Sequence, residues 1–186
     1  MRKAHPSFNA DDRGTPRKIR IGVIADTHGL LRPEAKAFLK GADRILHAGD
    51  VGDARILDEL RSIAQLCAVR GNNDTGTWAA SLPQTLAVDI GEVPIYLIHE
   101  VAELGIRPAP DGTRVLICGH SHKPLLENRG GTLYMNPGSA GRRRFKLPIA
   151  IGEIEIEAAG IEARIIDLAS HTVLARAVAS RRSVTH

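Results

Sequence analysis

The sequence is poor in aromatic residues, cysteine and long apolar runs, and each shortage excludes a class of protein. Phe, Trp and Tyr make up 3% of the 186 residues, so the core must be built mainly from Ile, Leu, Val and Ala. With only two cysteines the chain is no disulfide scaffold, and we expect Cys67 and Cys118 to be free thiols within strands. No apolar run reaches the roughly 18 residues of a membrane span, and the N-terminal segment lacks the apolar stretch of a signal peptide. We therefore expect a cytoplasmic protein without a membrane partner.

The net charge of +4 comes from the N-terminus. The first 20 residues carry six of the 25 basic residues and two of the 21 acidic ones, so the remainder is neutral. Residues 1–18 are polar and contain Pro and Gly, which predicts a disordered basic tail. We predict a single domain over residues 19–178 and a flexible tail at 179–186. Nucleic acid is an unfavoured partner, because strand-binding grooves are usually both basic and aromatic.

The first third of the chain alternates between strand and helix patterns. Apolar runs predict strands at 18–26, 44–50 and 64–74, and helical spacing predicts helices at 32–40 and 54–63 between them. This β-α-β-α-β order favours a parallel sheet with crossover helices.

The later part of the chain alternates apolar and charged residues across turns. Residues 85–100 form two apolar runs around Gly91, which predicts a hairpin, and further strands are predicted at 113–120 and 131–139. Residues 147–169 alternate like strands with one buried and one solvent-facing side. The whole pattern predicts a sheet-rich α/β domain, parallel at first and antiparallel later. Edge strands near the C-terminus leave homo-oligomer formation open.

Residues that can bind a metal follow five of the predicted strands. They are Asp26 and His28, Asp50, Asn72 with Asn73 and Asp74, His99, and the pair His120 and His122. In α/β sheets ligands gather at the carboxyl ends of strands, so we expect these groups to converge. Taken alone, a single histidine or a His-x-His pair is more often an ordinary core or loop residue. Together, the imidazole, carboxylate and carboxamide groups predict a site for Mn²⁺, Fe²⁺, Ni²⁺ or Zn²⁺.

The same segments, in the same order, resemble the signature blocks of the calcineurin-like metallophosphoesterase superfamily. These blocks are DTHG, HAGD, GNND, the strand-terminal His99 and GHSHKP. The resemblance covers about residues 19 to 148, and the short chain with its MNPGSAGRRRFKLP segment is most similar to the small YfcE-type phosphodiesterase branch. It implies an α/β fold of mixed sheets, a four-layered α/β/β/α sandwich, and a phosphoesterase activity.

The resemblance also implies a dinuclear centre with two divalent ions, Mn²⁺ before the other three. One ion would be held by Asp26, His28, Asp50 and His122. The other would be held by Asp50, Asn72, His99 and His120. Catalysis would act through this centre, notably Asp50, Asn72 and His99, by in-line attack of a hydroxide that bridges the ions. Two divalent ions less two aspartates and a hydroxide leave one positive charge, which suits a small phosphodiester and tolerates a monoester.

Two positions depart from the family pattern. Asn73 stands where many relatives have a histidine that assists the leaving group, and it can contact a phosphate but cannot supply a proton near pH 7. Esters with poor leaving groups should therefore react slowly unless Asp74 or a water substitutes. Glu100 stands where relatives usually have glycine, and the sequence leaves open whether its carboxylate enters the site.

Several other positions have a predicted supporting role. His47 is predicted to be a core histidine behind the ligands, and Asn136 is predicted to shape a turn that supports the site. Gly49, Gly71 and Gly119 each precede a proposed ligand, where a permissive backbone is expected. The basic cluster Arg142, Arg143, Arg144 and Lys146 is a solvated loop, a subunit contact or a site that recruits an anionic substrate.

The alternative function is a non-catalytic protein-binding scaffold of the same fold, since the retromer scaffold subunit shares that fold. The complete set of ligands favours retained hydrolysis. A nuclease is the third hypothesis, and the neutral domain argues against it.

Overall fold

Two mixed β-sheets pack face to face in the computed structural model, which describes residues 18–181. Within that range the strands are β1 (Ile19–Ile24), β2 (Arg44–His47), β3 (Gln65–Ala68), β4 (Thr85–Ile90), β5 (Val93–Ile98), β6 (Val115–Ile117), β7 (Leu125–Arg129), β8 (Thr132–Asn136), β9 (Ala150–Glu157), β10 (Gly160–Asp167) and β11 (Val173–Ala179). The α-helices are α1 (Pro33–Leu39) and α2 (Ala54–Arg61), and short 3₁₀ helices cover Ala79–Ser81 and Val101–Gly105.

The first sheet has the strand order β11-β10-β9-β1-β2-β3. β1, β2 and β3 run parallel and are joined by α1 and α2, as the β-α-β-α-β pattern predicts. β9, β10 and β11 complete the sheet with antiparallel pairs. The carboxyl ends of β1, β2 and β3 therefore lie at one edge.

The second sheet has the strand order β4-β5-β6-β8-β7. β4 and β5 form the predicted hairpin, whose turn residues Gly91 and Glu92 both have positive φ, as a type I′ turn requires. The expectation of antiparallel strands in the later part of the chain is wrong for β5, β6 and β8, which run parallel. The reason is that both connections are long enough to return the chain to the edge of the sheet where the previous strand began. The segment from 99 to 114 connects β5 to β6, and the connection from β6 to β8 contains β7.

Three apolar clusters fix the layers of the sandwich. The largest lies between the sheets and includes the fully buried Ile21, Leu97 and Ile117. A second lies between the first sheet and the two α-helices, around Leu39 and Leu60. A third, smaller cluster on the outer face of the second sheet is covered by the 3₁₀ helix Val101–Gly105 and the loop after it. The four-layered sandwich is thus confirmed, with a thin fourth layer made of 3₁₀ helix and loop.

Sequence patterns missed β7 and β11, because both strands lie at sheet edges and are largely exposed. The packed chain also runs three residues past the predicted boundary at 178. Ala179 ends β11, the Ser180 carbonyl accepts hydrogen bonds from Arg114, and Arg181 donates to the Gly91 carbonyl. The remaining residues of the predicted tails, 1–17 and 182–186, lie outside the described residues.

The two cysteines are free, with Cys118 buried and Cys67 half-buried. Burial raises the pKa of the Cys118 thiol to about 11, so it remains protonated at neutral pH. Within residues 18–181, no helix has the length and apolar character needed to cross a membrane.

Candidate metal centre

The predicted ligands come from both sheets and meet at one edge of the sandwich. Asp26, Asp50 and Asn72 follow β1, β2 and β3 of the first sheet, whereas His99 and His120 follow β5 and β6 of the second. Backbone hydrogen bonds join these strand ends to one another, from the Asp26 N–H to the Gly49 carbonyl (3.0 Å) and from the Gly119 N–H to the His99 carbonyl (2.9 Å). The convergence expected at the strand ends is therefore present in the structure.

Five of the seven predicted ligands have a left-handed backbone, with φ between 45° and 66°. They are Asp26, His28, Asp50, His120 and His122. This conformation is uncommon for residues other than glycine, and its concentration at one place indicates a functional site. It also lets the two histidines of the His-x-His segment turn toward the same side, which a regular strand would prevent.

Asp26, His28 and His122 form the first group of candidate ligands. The two imidazole rings are stacked, with centroids 5.1 Å apart, and their Nε2 atoms lie 3.2 Å apart. The Asp26 Oδ1 atom lies 3.6 Å from His122 Nε2 and 3.9 Å from His28 Nε2. A single ion among these three side chains would replace the contact between the two ring nitrogens.

Asn72, His99 and His120 form the second group. The Asn72 Oδ1 atom lies 3.0 Å from His99 Nε2 and 3.0 Å from His120 Nδ1. The His99 and His120 rings meet edge to face, with centroids 5.3 Å apart. The Nδ1–H of His99 donates to the buried Ala48 carbonyl (2.8 Å), which fixes the ring and directs Nε2 toward the centre.

Asp50 lies between the two groups. Its Oδ2 atom is 3.7 Å from His28 Nε2 and 3.5 Å from His99 Nε2, and the carboxylate is almost fully buried. The backbone N–H and the side-chain amide of Asn73 both donate to this carboxylate, at 2.8 and 2.6 Å. Asp50 is thus positioned to contribute to both groups.

The side chains fit a bound cation in two respects. The Asp26 Oδ2 atom is buried and has no hydrogen-bond partner among the described residues, which is costly for a carboxylate unless a cation neutralises it. The donor set of imidazole nitrogen with carboxylate and amide oxygen suits borderline divalent ions. These residues could therefore hold a metal.

The pKa values at the centre follow from burial and from the paired carboxylates. Burial raises the pKa of Asp26 to about 7, and the charge of Asp50 adds to the effect. Burial alone would raise the pKa of Asp50 as well, but hydrogen bonds from His99 and Asn73 outweigh it and hold that pKa well below the usual range. Burial would lower the pKa of His99, yet its contact with Asp50 raises it. The negative charge of Asp50 thus favours a cation beside His99, which suits a metal ion.

His28 and His122 have lowered pKa values, in contrast to His99. Burial lowers the pKa of His122 to about 4, and the neighbouring His28 lowers it further. Burial likewise lowers the pKa of His28. Both imidazoles are therefore neutral at physiological pH, as metal ligation requires.

The three glycines before the ligands are required for two different reasons. Gly49 has φ +92°, in agreement with the expected need for a permissive backbone. Gly71 and Gly119 lack a positive φ, so that reason is wrong for them. Their requirement is space: a Cβ on Gly71 would lie 2.1 Å from the Asp50 Oδ1 atom, and one on Gly119 would lie 3.0 Å from the Asp26 Oδ2 atom.

His47 supports the centre without entering it. It is fully buried, its Nε2 lies 3.0 Å from the Thr27 hydroxyl, and its Nδ1 accepts from the Gly49 N–H. Burial lowers its pKa to about 3. Thr27 also donates to the Val51 carbonyl, so this pair joins the loops after β1 and β2. Nothing in the sequence pattern indicated Thr27.

Asn136 supports the His-x-His loop, as predicted. Its side-chain oxygen accepts from the Gly138 N–H, and its amide donates to the Gly119 carbonyl (2.6 Å) and the Ser121 hydroxyl. In the same turn, the Ser139 hydroxyl donates to the Asp26 carbonyl. Ser139, like Thr27, has no signal in the sequence pattern.

The positions that depart from the family pattern lie around the centre. Asn73 engages Asp50, so its predicted contact with a phosphate stays a prediction. Asp74 is buried, and both its carboxylate oxygens accept from backbone N–H groups, those of Gly52 and Gly71. The Glu100 Oε1 atom lies 3.7 Å from His120 Nε2, whereas Asn72 contacts the other ring nitrogen of His120, Nδ1. The Glu100 carboxylate therefore stays outside the group of ligands.

The centre opens on a pocket of about 260 Å³. Its lining residues are Asp50, Asn73, His120, Ser121, His122, Arg144, Phe145 and Leu147. A larger cavity of about 600 Å³ lies beside β9, β10 and β11, but none of the predicted ligands lines it. The smaller pocket is therefore the candidate active site.

Comparisons with known proteins agree with this geometry. Residues 19–158 match the model described as the calcineurin-like phosphoesterase superfamily domain. The chain is 34% identical over 161 residues to a protein of Methanocaldococcus jannaschii named "Probable metallophosphoesterase", which covers 80% of this chain and 81% of that protein. It is 25% identical over 162 residues to the phosphodiesterase YfcE of Escherichia coli, which covers 74% of this chain and 88% of YfcE.

Solved structures share the fold. Vps29 of Cryptosporidium parvum superposes with a TM-score of 0.73 at 21% identity, over 88% of this chain and 98% of that one. The E. coli phosphoesterase YfcE gives a TM-score of 0.68 at 22% identity, over 87% of this chain and 100% of that one. At such identities the likeness shows the fold alone.

Proposed function

Because the chain belongs to the calcineurin-like phosphoesterase superfamily, we propose that it hydrolyses a small phosphodiester at a dinuclear metal centre. The proposed ligands are Asp26, His28, Asp50, Asn72, His99, His120 and His122. The observation that carries the proposal is the position of Asp50, whose Oδ2 atom lies within 3.7 Å of His28 Nε2 and 3.5 Å of His99 Nε2. One carboxylate between two histidine-containing groups is what a pair of ions with a shared ligand requires.

The chain's own residues hold this centre ready for a substrate. Asn73 and His99 restrain the Asp50 carboxylate, and Ala48 restrains the His99 ring. Divalent ions, when bound, supply Lewis acidity toward phosphoryl oxygens and lower the pKa of water. The pocket of about 260 Å³ suits a phosphate with a small organic group. In-line attack on phosphorus, which the resemblance implies, stays a prediction.

Leaving-group chemistry follows from the residues that line the pocket. Asn73 cannot donate a proton at neutral pH, and both oxygens of Asp74 are occupied by backbone N–H groups. Neither residue can protonate a departing alkoxide. We therefore expect aryl esters to react much faster than alkyl esters, unless a water supplies the proton.

The donor set also guides the choice of ion. We propose two ions per chain and Mn²⁺ as the native ion, with Fe²⁺, Ni²⁺ and Zn²⁺ as the alternatives that the same nitrogen and oxygen ligands accept. A cytoplasmic location and the capacity to form a homo-oligomer stay predictions.

A metal-dependence assay tests the proposed function. The metal-free full chain should hydrolyse bis(p-nitrophenyl) phosphate only after Mn²⁺ or Ni²⁺ is added, and elemental analysis should find two ions per chain. Asp50→Asn should abolish hydrolysis, whereas the matched control Asp58→Asn should not, because Asp58 is exposed and its one ion pair within residues 18–181 is with Arg61. Absence of hydrolysis with every ion, in a folded protein, would instead favour the protein-binding scaffold, whose fold Vps29 shares.

A further inference from the structure

The loop from 142 to 147 is anchored beside the candidate metal centre. Gly141, which precedes it, is buried, and a Cβ there would lie 2.2 Å from the Thr27 carbonyl oxygen. The Arg32 guanidinium donates to the Gly141 carbonyl (2.8 Å), and a bridge between Ser139 and Ile149 closes the base of the loop. Packing at both ends therefore holds the tip of the loop over the pocket.

Arg144 brings a positive charge to this pocket. It is an exposed residue that lines the pocket, and among residues 18–181 its side chain forms no hydrogen bond or ion pair. Burial and the neighbouring His28 are the main causes of the low pKa of His122, and the charge of Arg144 adds to them. A free guanidinium so close to the centre is suited to bind an oxygen of a phosphate.

Phe145 is exposed to an extent that the fold does not explain. It is one of three phenylalanines in the chain, its side chain is 92% exposed, and its backbone is left-handed with φ 52°. An aromatic ring exposed to water contributes no burial free energy to the fold. In addition, a left-handed backbone costs about 1 kcal/mol of free energy for a residue with a side chain. Phe145 nonetheless lines the pocket next to Arg144. A planar ligand would cover it.

We propose that Arg144 and Phe145 select the substrate. Arg144 binds a non-bridging oxygen of the phosphate, and Phe145 stacks on an aromatic or heterocyclic group that the phosphate retains after hydrolysis. The preferred substrates are then small phosphodiesters that carry an aryl group or a nucleoside. This inference rests on the proposed function, which it deepens. A single aromatic residue suits one base or ring and offers no groove for a polymer.

Three esters with the same leaving group test this selection. They are the methyl, phenyl and thymidine 5′ esters of p-nitrophenyl phosphate, which share one charge and differ in the retained group. For the metal-loaded full chain we expect kcat/KM for the phenyl and thymidine esters to exceed that for the methyl ester by about three- to ten-fold, the range of an aromatic contact. In Phe145→Ala, kcat/KM for the phenyl and thymidine esters should fall to the value for the methyl ester.

Two further variants separate the roles of charge and ring. Arg144→Gln should lower kcat/KM about ten-fold or more for all three esters alike, because it removes a charge-assisted contact to the phosphate that they share. Arg143→Gln, which removes a neighbouring charge that does not line the pocket, should leave all three values unchanged. Equal values for the three esters in the wild-type chain, unaffected by Phe145→Ala, would overturn the inference while the proposed function stands.

A binding measurement gives a second result that does not depend on turnover. Calorimetry with phenylphosphonate and methylphosphonate, which are not hydrolysed, should show tighter binding of the phenyl compound by wild type and loss of that difference in Phe145→Ala. If no ester is hydrolysed, the proposed function falls, and calorimetry still decides the role of the loop. Equal binding of the two phosphonates would overturn it.

Discussion

At the scale of single residues, the centre depends on backbone conformations that cost free energy. Each left-handed ligand costs about 1 kcal/mol or more, and Asp26, His28, Asp50, His120 and His122 all adopt this conformation. The loops compensate through hydrogen bonds such as those from the His28 N–H to the Asp50 carbonyl and from Ser139 to the Asp26 carbonyl. The result is a set of ligands that is held in place before any ion binds.

Gly71 provides a sharp test of this close packing. A methyl group in Gly71→Ala would lie 2.1 Å from the Asp50 Oδ1 atom and must displace that carboxylate. We expect Mn²⁺ affinity, measured by calorimetry, to fall about ten-fold or more, since even residues behind the ligands change affinity by this factor. The matched control is Gly105→Ala, where the added methyl has no atom of the described part of the chain within 4 Å and φ is not left-handed. Equal affinities of the two variants would contradict the packing argument.

His47 provides a pH-dependent test. Burial in the folded protein lowers its pKa from 6.5 to about 3. Between these two pH values, His47 therefore binds a proton in the unfolded chain and not in the folded chain. The free energy of unfolding should therefore decrease as the pH falls through this window, by up to about 1.4 kcal/mol per pH unit. Urea unfolding of the metal-free protein between about pH 7 and about pH 4.5 should show a shallower dependence in His47→Gln than in wild type.

The control for this test is His171→Gln, because His171 is exposed in a turn. Its unfolding free energy should follow the wild-type pH dependence. If His47→Gln and wild type show the same slope, His47 is protonated in the folded protein and its assignment as a neutral core histidine is wrong.

At the scale of helices and strands, the sequence carried most of the information about the centre. Apolar runs that end in polar residues marked β1, β2, β3, β5 and β6, and these are the strands that deliver the ligands. Two features had no signal in the pattern. The parallel direction of β6 and β8 depends on how the long connections before them return across the sheet. The side chains of β7 are largely exposed, so its sequence shows no apolar periodicity. The position of Phe145 over the pocket likewise follows from the packing of Gly141, which only the fold reveals.

The first sheet contains a buried ion-pair network that joins three strands. Glu153 on β9 is 5% exposed and accepts from Arg20 on β1 (2.5 Å) and from Arg164 on β10. Glu153→Ala would leave two guanidinium groups without their shared partner. We expect a loss of about 2 kcal/mol in the free energy of unfolding, below the 3–5 kcal/mol of a fully buried pair because both arginines are partly exposed. Urea denaturation measures it.

Glu157→Ala is the matched control on the same strand. Its carboxylate is half exposed and lies 3.6 Å from the Lys18 amine, so its removal should change the unfolding free energy by less than about 0.5 kcal/mol. A loss in Glu153→Ala as small as in the control would show that the network contributes to neither strand pairing nor stability.

At the scale of the whole molecule, the centre lies where the two sheets meet. Three ligand-bearing strand ends come from the first sheet and two from the second, so a bound ion links both halves of the sandwich. The unfolded chain cannot bring these groups together. Metal binding should therefore stabilise the folded state as a whole, by about 2.7 kcal/mol when the free ion exceeds its Kd a hundred-fold.

This stabilisation should increase with pH. Burial raises the pKa of Asp26 from 3.8 to about 7. In the metal-free protein, ionisation of this carboxyl group therefore lowers the free energy of unfolding as the pH rises from 3.8 toward 7. At lower pH the carboxyl group holds a proton, which an ion must displace in order to bind. The rise in Tm on adding Mn²⁺ should consequently be larger at about pH 8 than at about pH 5, and absent in Asp50→Asn at both. His99 also has a raised pKa, which favours a proton over an ion as the pH falls, so its effect on metal binding has the same sign as that of Asp26. A Tm increase independent of pH would mean that the ion displaces no proton, and thus that it binds away from Asp26 and His99.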